Sequence, residues 1–180
     1  MRRAFVVALF FVVAVPYVAL AQGFDWRRVS PPGFNFSALF PGNPSEGPPA
    51  DYKGPDGSVR LTSRVFQFKG GDYFCAVSLR DYSVTVDPDS ELTADRDILL
   101  KTTGSTLLTS ERGVFINGSD KLPELTFTFE MPEVNYRGKS IVVVKANRVY
   151  TLSFVFDKTQ NYDAEMERFL GSFEILSTTQ

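Results

Sequence analysis

Alternation of apolar and polar residues with a period of two constrains the fold of this chain more than any other sequence feature. The clearest run covers residues 125–131, in which Leu125, Phe127, Phe129 and Met131 alternate with Thr126, Thr128 and Glu130. Successive side chains of a β-strand point to opposite faces of its sheet, so this period indicates a strand with one buried face. The chain has 17 Phe residues, which can supply the buried faces of several such strands.

Further apolar runs bounded by glycine, proline or asparagine predict a total of about seven strands, most of them joined by hairpins. The segments with strand-like patterns, including the clear run above, are residues 34–40, 59–68, 73–82, 106–109, 113–116, 125–131, 141–145 and 149–156. Gly70-Gly71 and Asn117-Gly118 lie in two of the hairpins, and for Gly70-Gly71 we expect the positive φ angles of a tight turn. Hairpins between consecutive strands predict an antiparallel sheet.

Two segments have helical patterns. Acids and a proline crowd Asp87-Pro88-Asp89-Ser90-Glu91, and a glycine follows at Gly104. A proline and acids in the first turn and a glycine stop predict a helix of roughly three to four turns between them. Near the carboxyl terminus, apolar residues recur at helical spacing and form one stripe that we expect to face the sheet: Tyr162, Met166, Phe169, Leu170 and Phe173. Two helices separated in sequence can cover both faces of one sheet. The pattern therefore predicts an α+β fold, a three-layer α/β/α sandwich with a central antiparallel sheet of six to seven strands.

The amino-terminal segment predicts export. Arg2 and Arg3 precede an apolar run over residues 4–15, and Ala19-Leu20-Ala21 ends the segment with small residues at the cleavage positions. This order is typical of a secretory signal, cleaved between Ala21 and Gln22. We therefore expect residues 1–21 to be a signal peptide and residues 22–180 to form a single domain in the periplasm or outside the cell, with no membrane span after cleavage. The alternative is an uncleaved membrane anchor.

Composition argues against several classes of function. Loss of Arg2 and Arg3 leaves 17 basic and 21 acidic residues, a net charge of −4, without the clustered Lys and Arg that nucleic acid requires. The chain has no histidine, which removes the usual general base and the commonest zinc ligand. Cys75 lies in an apolar strand, and we expect it to be buried and structural. We therefore predict no catalytic residues, no metal ligands, no cofactor-binding residues and no enzymatic activity.

Five acids near the start of the first helix invite comparison with a calcium loop: Asp87, Asp89, Glu91, Asp95 and Asp97. No glycine lies between the first and the last of them, whereas the calcium loop of helix–loop–helix proteins needs one at its centre. Capping and the helix dipole account for these acids without an ion.

The order of motifs along the chain resembles that of the PsbP/Mog1-like family. The residues that carry the resemblance are Trp26, Gly33-Phe34, Phe40-Pro41-Gly42-Asn43-Pro44, Arg80-Asp81-Tyr82, Asn147-Arg148-Val149-Tyr150-Thr151-Leu152 and Phe169-Leu170-Gly171-Ser172-Phe173. Gly171 stands where many bacterial members have an acid. The resemblance implies the same α/β/α sandwich and a non-catalytic role, since the best known members are an accessory subunit of photosystem II and a binder of the Ran GTPase. The resemblance does not identify any residue of this chain as a binding or catalytic residue.

Three aromatic residues lie in polar or Gly/Pro-rich segments, where the predicted core does not need them: Trp26, Tyr52 and Tyr136. Tyr52 belongs to residues 41–57, a proline- and glycine-rich segment that predicts a long surface loop or a loosely held sheet edge. We take the three aromatics as a candidate contact surface for a protein partner of the cell envelope. The alternative is a carrier of a lipid or small apolar ligand, bound in a pocket between sheet and helix.

Overall fold

The computed structural model describes residues 24–176, so the predicted signal peptide lies outside the described residues. The described strands are β1 (Arg27–Val29), β2 (Phe36–Phe40), β3 (Ser45–Glu46), β4 (Ala50–Lys53), β5 (Val59–Lys69), β6 (Tyr73–Tyr82), β7 (Thr106–Asn117), β8 (Asp120–Met131), β9 (Tyr136–Lys145), β10 (Arg148–Asp157) and β11 (Glu174–Ile175). The helices are α1 (Pro88–Thr103) and α2 (Asp163–Gly171), and a 3-10 turn covers Pro132–Val134.

Eight strands form one antiparallel sheet in the order β3-β5-β6-β10-β9-β8-β7, with β4 also paired to β5. The long hairpins β5-β6, β7-β8 and β9-β10 follow the chain, while β10 pairs with β6 to join the two halves. A smaller sheet of three strands has the order β1-β2-β11. The larger sheet thus has a short, irregular edge at β3 and β4 and a long edge at β7.

Helix α1 covers part of one face of the large sheet. Asp87 caps its start by accepting a hydrogen bond from the Ser90 amide, and Gly104 ends it with a φ of 64°. Leu92 is buried against β8 and β9, in a cluster with Phe127, Phe129 and Val142. The predicted helix between the proline and acid start signal and the glycine stop is confirmed, and the structure identifies Asp87 as its capping residue.

The other face of the large sheet is covered jointly by α2 and the small sheet. Phe169 of α2 is fully buried, and its ring lies 5.2 Å from that of Phe40 in β2 and 6.0 Å from that of Phe154 in β10. The predicted burial of the terminal stripe is confirmed for Phe169, Leu170 and Phe173. Cys75 is also buried here, as predicted.

The predicted α/β/α sandwich is wrong. Of the described residues, 53% are in strands and 18% in helices, and they form sheets of eight and three strands instead of one sheet between two helical layers. The pattern over residues 34–40, in which Phe34 and Phe36 alternate with polar residues, predicts a strand of the central sheet. Strand β2 instead pairs with β1 and β11 and packs across the large sheet, so this layer is mainly β-structure.

Two local predictions also need correction, and one open alternative is decided. Residues 106–109 and 113–116 belong to one twelve-residue strand, β7, with a bulge at Leu108. Within residues 41–57, strands β3 and β4 pair with β5, so of the two predicted alternatives the segment is a sheet edge, with connecting loops. Neither Gly70 nor Gly71 has a positive φ. A side chain at Gly70 would clash with the Tyr73 ring, which would lie 2.2 Å from its Cβ.

Candidate binding grooves

The largest uncovered part of the α1 face is a groove between α1 and strands β4–β6, which we call the outer groove. Its volume is approximately 790 Å³. Tyr52 of β4 stands on one wall and Ile98 of α1 on the other, with exposed fractions of 56% and 53%. Two large apolar side chains thus face solvent across one groove.

Strand register and helix position together create the outer groove. Tyr52 pairs with Leu61, and Leu61 pairs with Tyr82, so the three side chains form one row across β4, β5 and β6. Helix α1 lies on the same face of the sheet but packs over β8 and β9, in its other half. The faces of β5 and β6 therefore stay open beside the helix.

The floor of the outer groove contains a buried ion pair. Arg80 of β6 and Asp95 of α1 are in contact, and their side chains are 12% and 10% exposed. Thr151 of β10 donates a hydrogen bond to the same carboxylate. This pair ties the middle of α1 to β6. Because the two charges compensate each other, they do not select a charged ligand.

A second polar contact closes the amino-terminal end of the outer groove. The hydroxyl of Tyr82 donates a 2.6 Å hydrogen bond to Glu91 of α1. Burial, and after it the hydrogen bond to Glu91, raise the pKa of Tyr82 to about 12. Tyr82 therefore stays protonated near neutral pH and fixes the first turns of α1 against β6.

A smaller groove, which we call the end groove, lies between the carboxyl-terminal end of α1 and strands β6, β8 and β10. It has a volume of approximately 560 Å³. Its lining is mainly apolar and includes Phe74, Leu99, Phe129, Val134 and Tyr136. Leu99 and Thr103 line both grooves, which thus adjoin along one side of α1.

The three predicted contact residues do not form one surface. Tyr52 lies in the outer groove and Tyr136, which is partly buried, lies in the end groove. Trp26 packs against the cluster on the other face of the sheet, where the Arg168 guanidinium lies 4.7 Å from its ring centre. Sequence reasoning missed Ile98 and the Arg80–Asp95 pair. Leu92 and Leu99 are seven residues apart and lie on one side of the helix, whereas the spacing of Ile98 places it outside that buried stripe. The sequence around Asp95 contains nothing that indicates its pairing with β6.

The third large cleft lies near the Gly70-Gly71 turn and has a volume of approximately 940 Å³. The rings of Phe24, Tyr73 and Tyr162 lie 5.2–5.5 Å from one another, so they fill the apolar part of the cleft themselves. The Tyr162 hydroxyl donates to Asp72. Burial raises the pKa of Tyr73 to about 12. This cleft offers less free apolar surface than the two grooves beside α1.

Few of the described residues have side chains that could be chemically reactive. Burial raises the pKa of the Cys75 thiol, which keeps it in the unreactive protonated form. Within residues 24–176, no group of three or more acids and cysteines is placed to hold a metal ion. The acids of α1 serve the fold, as Asp87 caps the helix, Asp95 pairs with Arg80 and Asp89 pairs with Arg112.

No helix within residues 24–176 is long and apolar enough to cross a membrane. Comparison with protein families and with curated proteins finds no match to this chain. The resemblance to the PsbP/Mog1-like family therefore stays a prediction from the motifs.

Proposed function

We propose that this chain is an exported, non-enzymatic binding protein that holds a segment of another envelope protein in the outer groove. The observation that carries the proposal is the exposure of Tyr52 and Ile98 on facing walls of this groove. Exposed large apolar side chains that converge on one concavity mark binding sites more often than singly scattered ones. Aromatic residues such as Tyr also supply much of the binding energy in protein interfaces.

The rigid floor of the groove supports this role. Arg80, Asp95 and Thr151 join α1 to β6 and β10 in one buried network, which holds the helix wall of the groove in place. A site that exists before binding loses less entropy when it binds. The compensated charges in the floor favour apolar and hydrogen-bonding contacts from the partner over ionic ones.

The proposal is tested by capture of partners from the native envelope with purified protein that carries Tyr52→Ala. We expect capture to fall severalfold, because truncating an interface aromatic commonly costs more than about 1 kcal/mol of binding energy. The melting temperature should stay within a few degrees, since exposed substitutions change stability by less than about 0.5 kcal/mol. Val84→Ala is the matched control, because Val84 is 62% exposed and does not line the groove.

Two results would contradict the proposal. Unchanged capture by the Tyr52 variant would remove the outer groove as the contact surface. Turnover of an envelope substrate by the pure protein would remove the non-enzymatic role.

The end groove favours one alternative function, the carriage of a lipid or another small apolar ligand. Its apolar lining and its volume of approximately 560 Å³ suit a ligand of that class. Native mass spectrometry of protein purified from its own envelope would detect such a ligand as an added mass. In that case Val134→Lys, at an exposed position of the lining, should release it while Tyr52→Ala should not.

A further inference from the structure

Strand β7 forms one edge of the eight-stranded sheet, and the backbone groups on its outer side have no strand partner within the described residues. It is twelve residues long and almost wholly exposed. Four of the ten exposed large hydrophobic side chains in the described chain lie on it: Leu107, Leu108, Val114 and Ile116. A long, apolar, unpaired edge of this kind readily accepts another strand.

The two faces of β7 differ in chemistry. On the α1 face, Arg112 is held by Asp89 and Thr93 of the helix, and Val114 and Ile116 continue the row. On the opposite face lie Glu111, Gly113 and the partly buried Phe115, whose ring packs against Phe173. An added strand would therefore meet Val114 and Ile116 on the first face, where Arg112 is already paired with Asp89. On the second face it would meet the Glu111 carboxylate, the gap at Gly113 and the edge of Phe115.

A second carboxylate stands next to the first. Glu124 of β8 pairs with Gly113, which has no side chain to cover it, and a Cβ built at Gly113 lies 3.5 Å from its Oε1 atom. Neither Glu111 nor Glu124 has a cationic partner within residues 24–176, and Glu124 accepts a hydrogen bond only from Thr126. A basic side chain opposite Gly113 can thus reach Glu124 directly.

Charge argues against a second copy of this chain as the added strand. If two copies of β7 pair in antiparallel fashion about a two-fold axis, the α1 faces of both copies lie on the same side of the joined sheet. Each residue of β7 then stands opposite a residue that belongs to the same face of the other copy. The two registers with the most paired residues place Glu111 opposite its own copy or Arg112 opposite its own copy. Like charges directly opposite each other destabilise a strand pair.

We propose that β7 binds an extended segment of a different protein, in which apolar residues alternate with Lys or Arg. This segment adds a ninth strand to the sheet, with its apolar residues beside Val114 and Ile116 and its basic residues beside Glu111 and Glu124. Backbone hydrogen bonds supply affinity in this mode, and the alternating side chains supply selectivity. The inference rests on the proposed binding role but uses a surface on the opposite edge of the sheet from Tyr52.

The test uses two fluorescein-labelled peptides with blocked ends, Val-Thr-Val-Lys-Val-Lys-Val-Thr and the same peptide with Glu at both Lys positions. Binding to the purified protein is measured by fluorescence anisotropy. We expect the Lys peptide to bind more tightly, and Glu111→Lys to weaken it by about fivefold and to strengthen the Glu peptide. Glu133→Lys, at an exposed acid outside β7, is the matched control and should change neither.

Amide hydrogen exchange locates the bound peptide. The Lys peptide should slow exchange within residues 106–117, and Ile116→Lys should abolish that protection. Several results would overturn the proposal: no binding of either peptide, equal binding of both, protection in the outer groove instead of β7, or a dimer of the free protein that Ile116→Lys dissociates. Tyr52→Ala should leave peptide binding unchanged, so failure here is separate from failure of the outer groove.

Discussion

Replacement of Phe169 by alanine tests the packing of α2 against the large sheet. The side chain is fully buried and contacts the rings of Phe40 in the small sheet and Phe154 in the large one. Removing a buried Phe side chain costs about 3–5 kcal/mol, which combines lost transfer energy with the cavity left behind. We expect the upper half of that range, because the cavity would lie between two sheets and a helix that cannot all move inward.

The free energy of unfolding is measured by urea denaturation of the wild-type protein and the variant. A loss of about 4 kcal/mol is a large fraction of the stability of one domain, so the transition midpoint should fall steeply. Glu165→Ala is the control on the same helix, and because Glu165 is a partly buried acid in the first turn it should cost no more than about 1 kcal/mol. A loss below about 1 kcal/mol for Phe169→Ala would refute the placement of α2 over the core.

Four further predictions follow from the buried groups and the amino terminus. Asp95→Ala should cost about 3–5 kcal/mol in urea unfolding because it leaves the Arg80 charge buried alone, whereas Arg80→Met combined with Asp95→Leu should cost much less. Cys75 should not react with a thiol reagent at pH 8 until the protein unfolds, since burial raises its pKa. The pKa of Tyr82 is about 12 in the folded protein, against an ordinary value of 10.0. The stability that the protonated Tyr82 hydroxyl contributes should therefore be complete below pH 10 and be lost between pH 10 and 12, which urea unfolding at each pH will measure. Mass mapping of the exported protein should find Gln22 at its amino terminus, and an intact Met1 in a membrane fraction would contradict the signal peptide.

Local sequence signals predicted most elements of the fold. The alternation in β8 and the Asp87, Pro88 and Gly104 signals of α1 depend on neighbouring residues alone, so they could be recognised without the fold. The layer arrangement depends on which strands pair over long distances. Strand β2 has the same alternation as a central strand, and nothing within it indicates that it joins β1 and β11.

The candidate site was predictable only in part. Tyr52 could be proposed because an aromatic in a polar, proline-rich segment has no evident core role. The opposite wall of the outer groove could not, because Ile98 faces Tyr52 only through the position of α1 on β8 and β9. The contact of Asp95 with Arg80 likewise joins residues whose strand and helix meet only in the folded chain. Before folding, Asp95 resembles the other acids of α1.

The central claim is that the outer groove holds a protein segment. Site-specific photo-crosslinking in living cells tests it most directly, with a benzophenone amino acid placed at Tyr52, at Ile98 and, as a control outside the groove, at Val84. The account predicts that the same protein is crosslinked from Tyr52 and Ile98 and is absent from Val84, with the adduct identified by mass spectrometry. Crosslinking of lipid alone, or of no molecule, from both groove positions would contradict it.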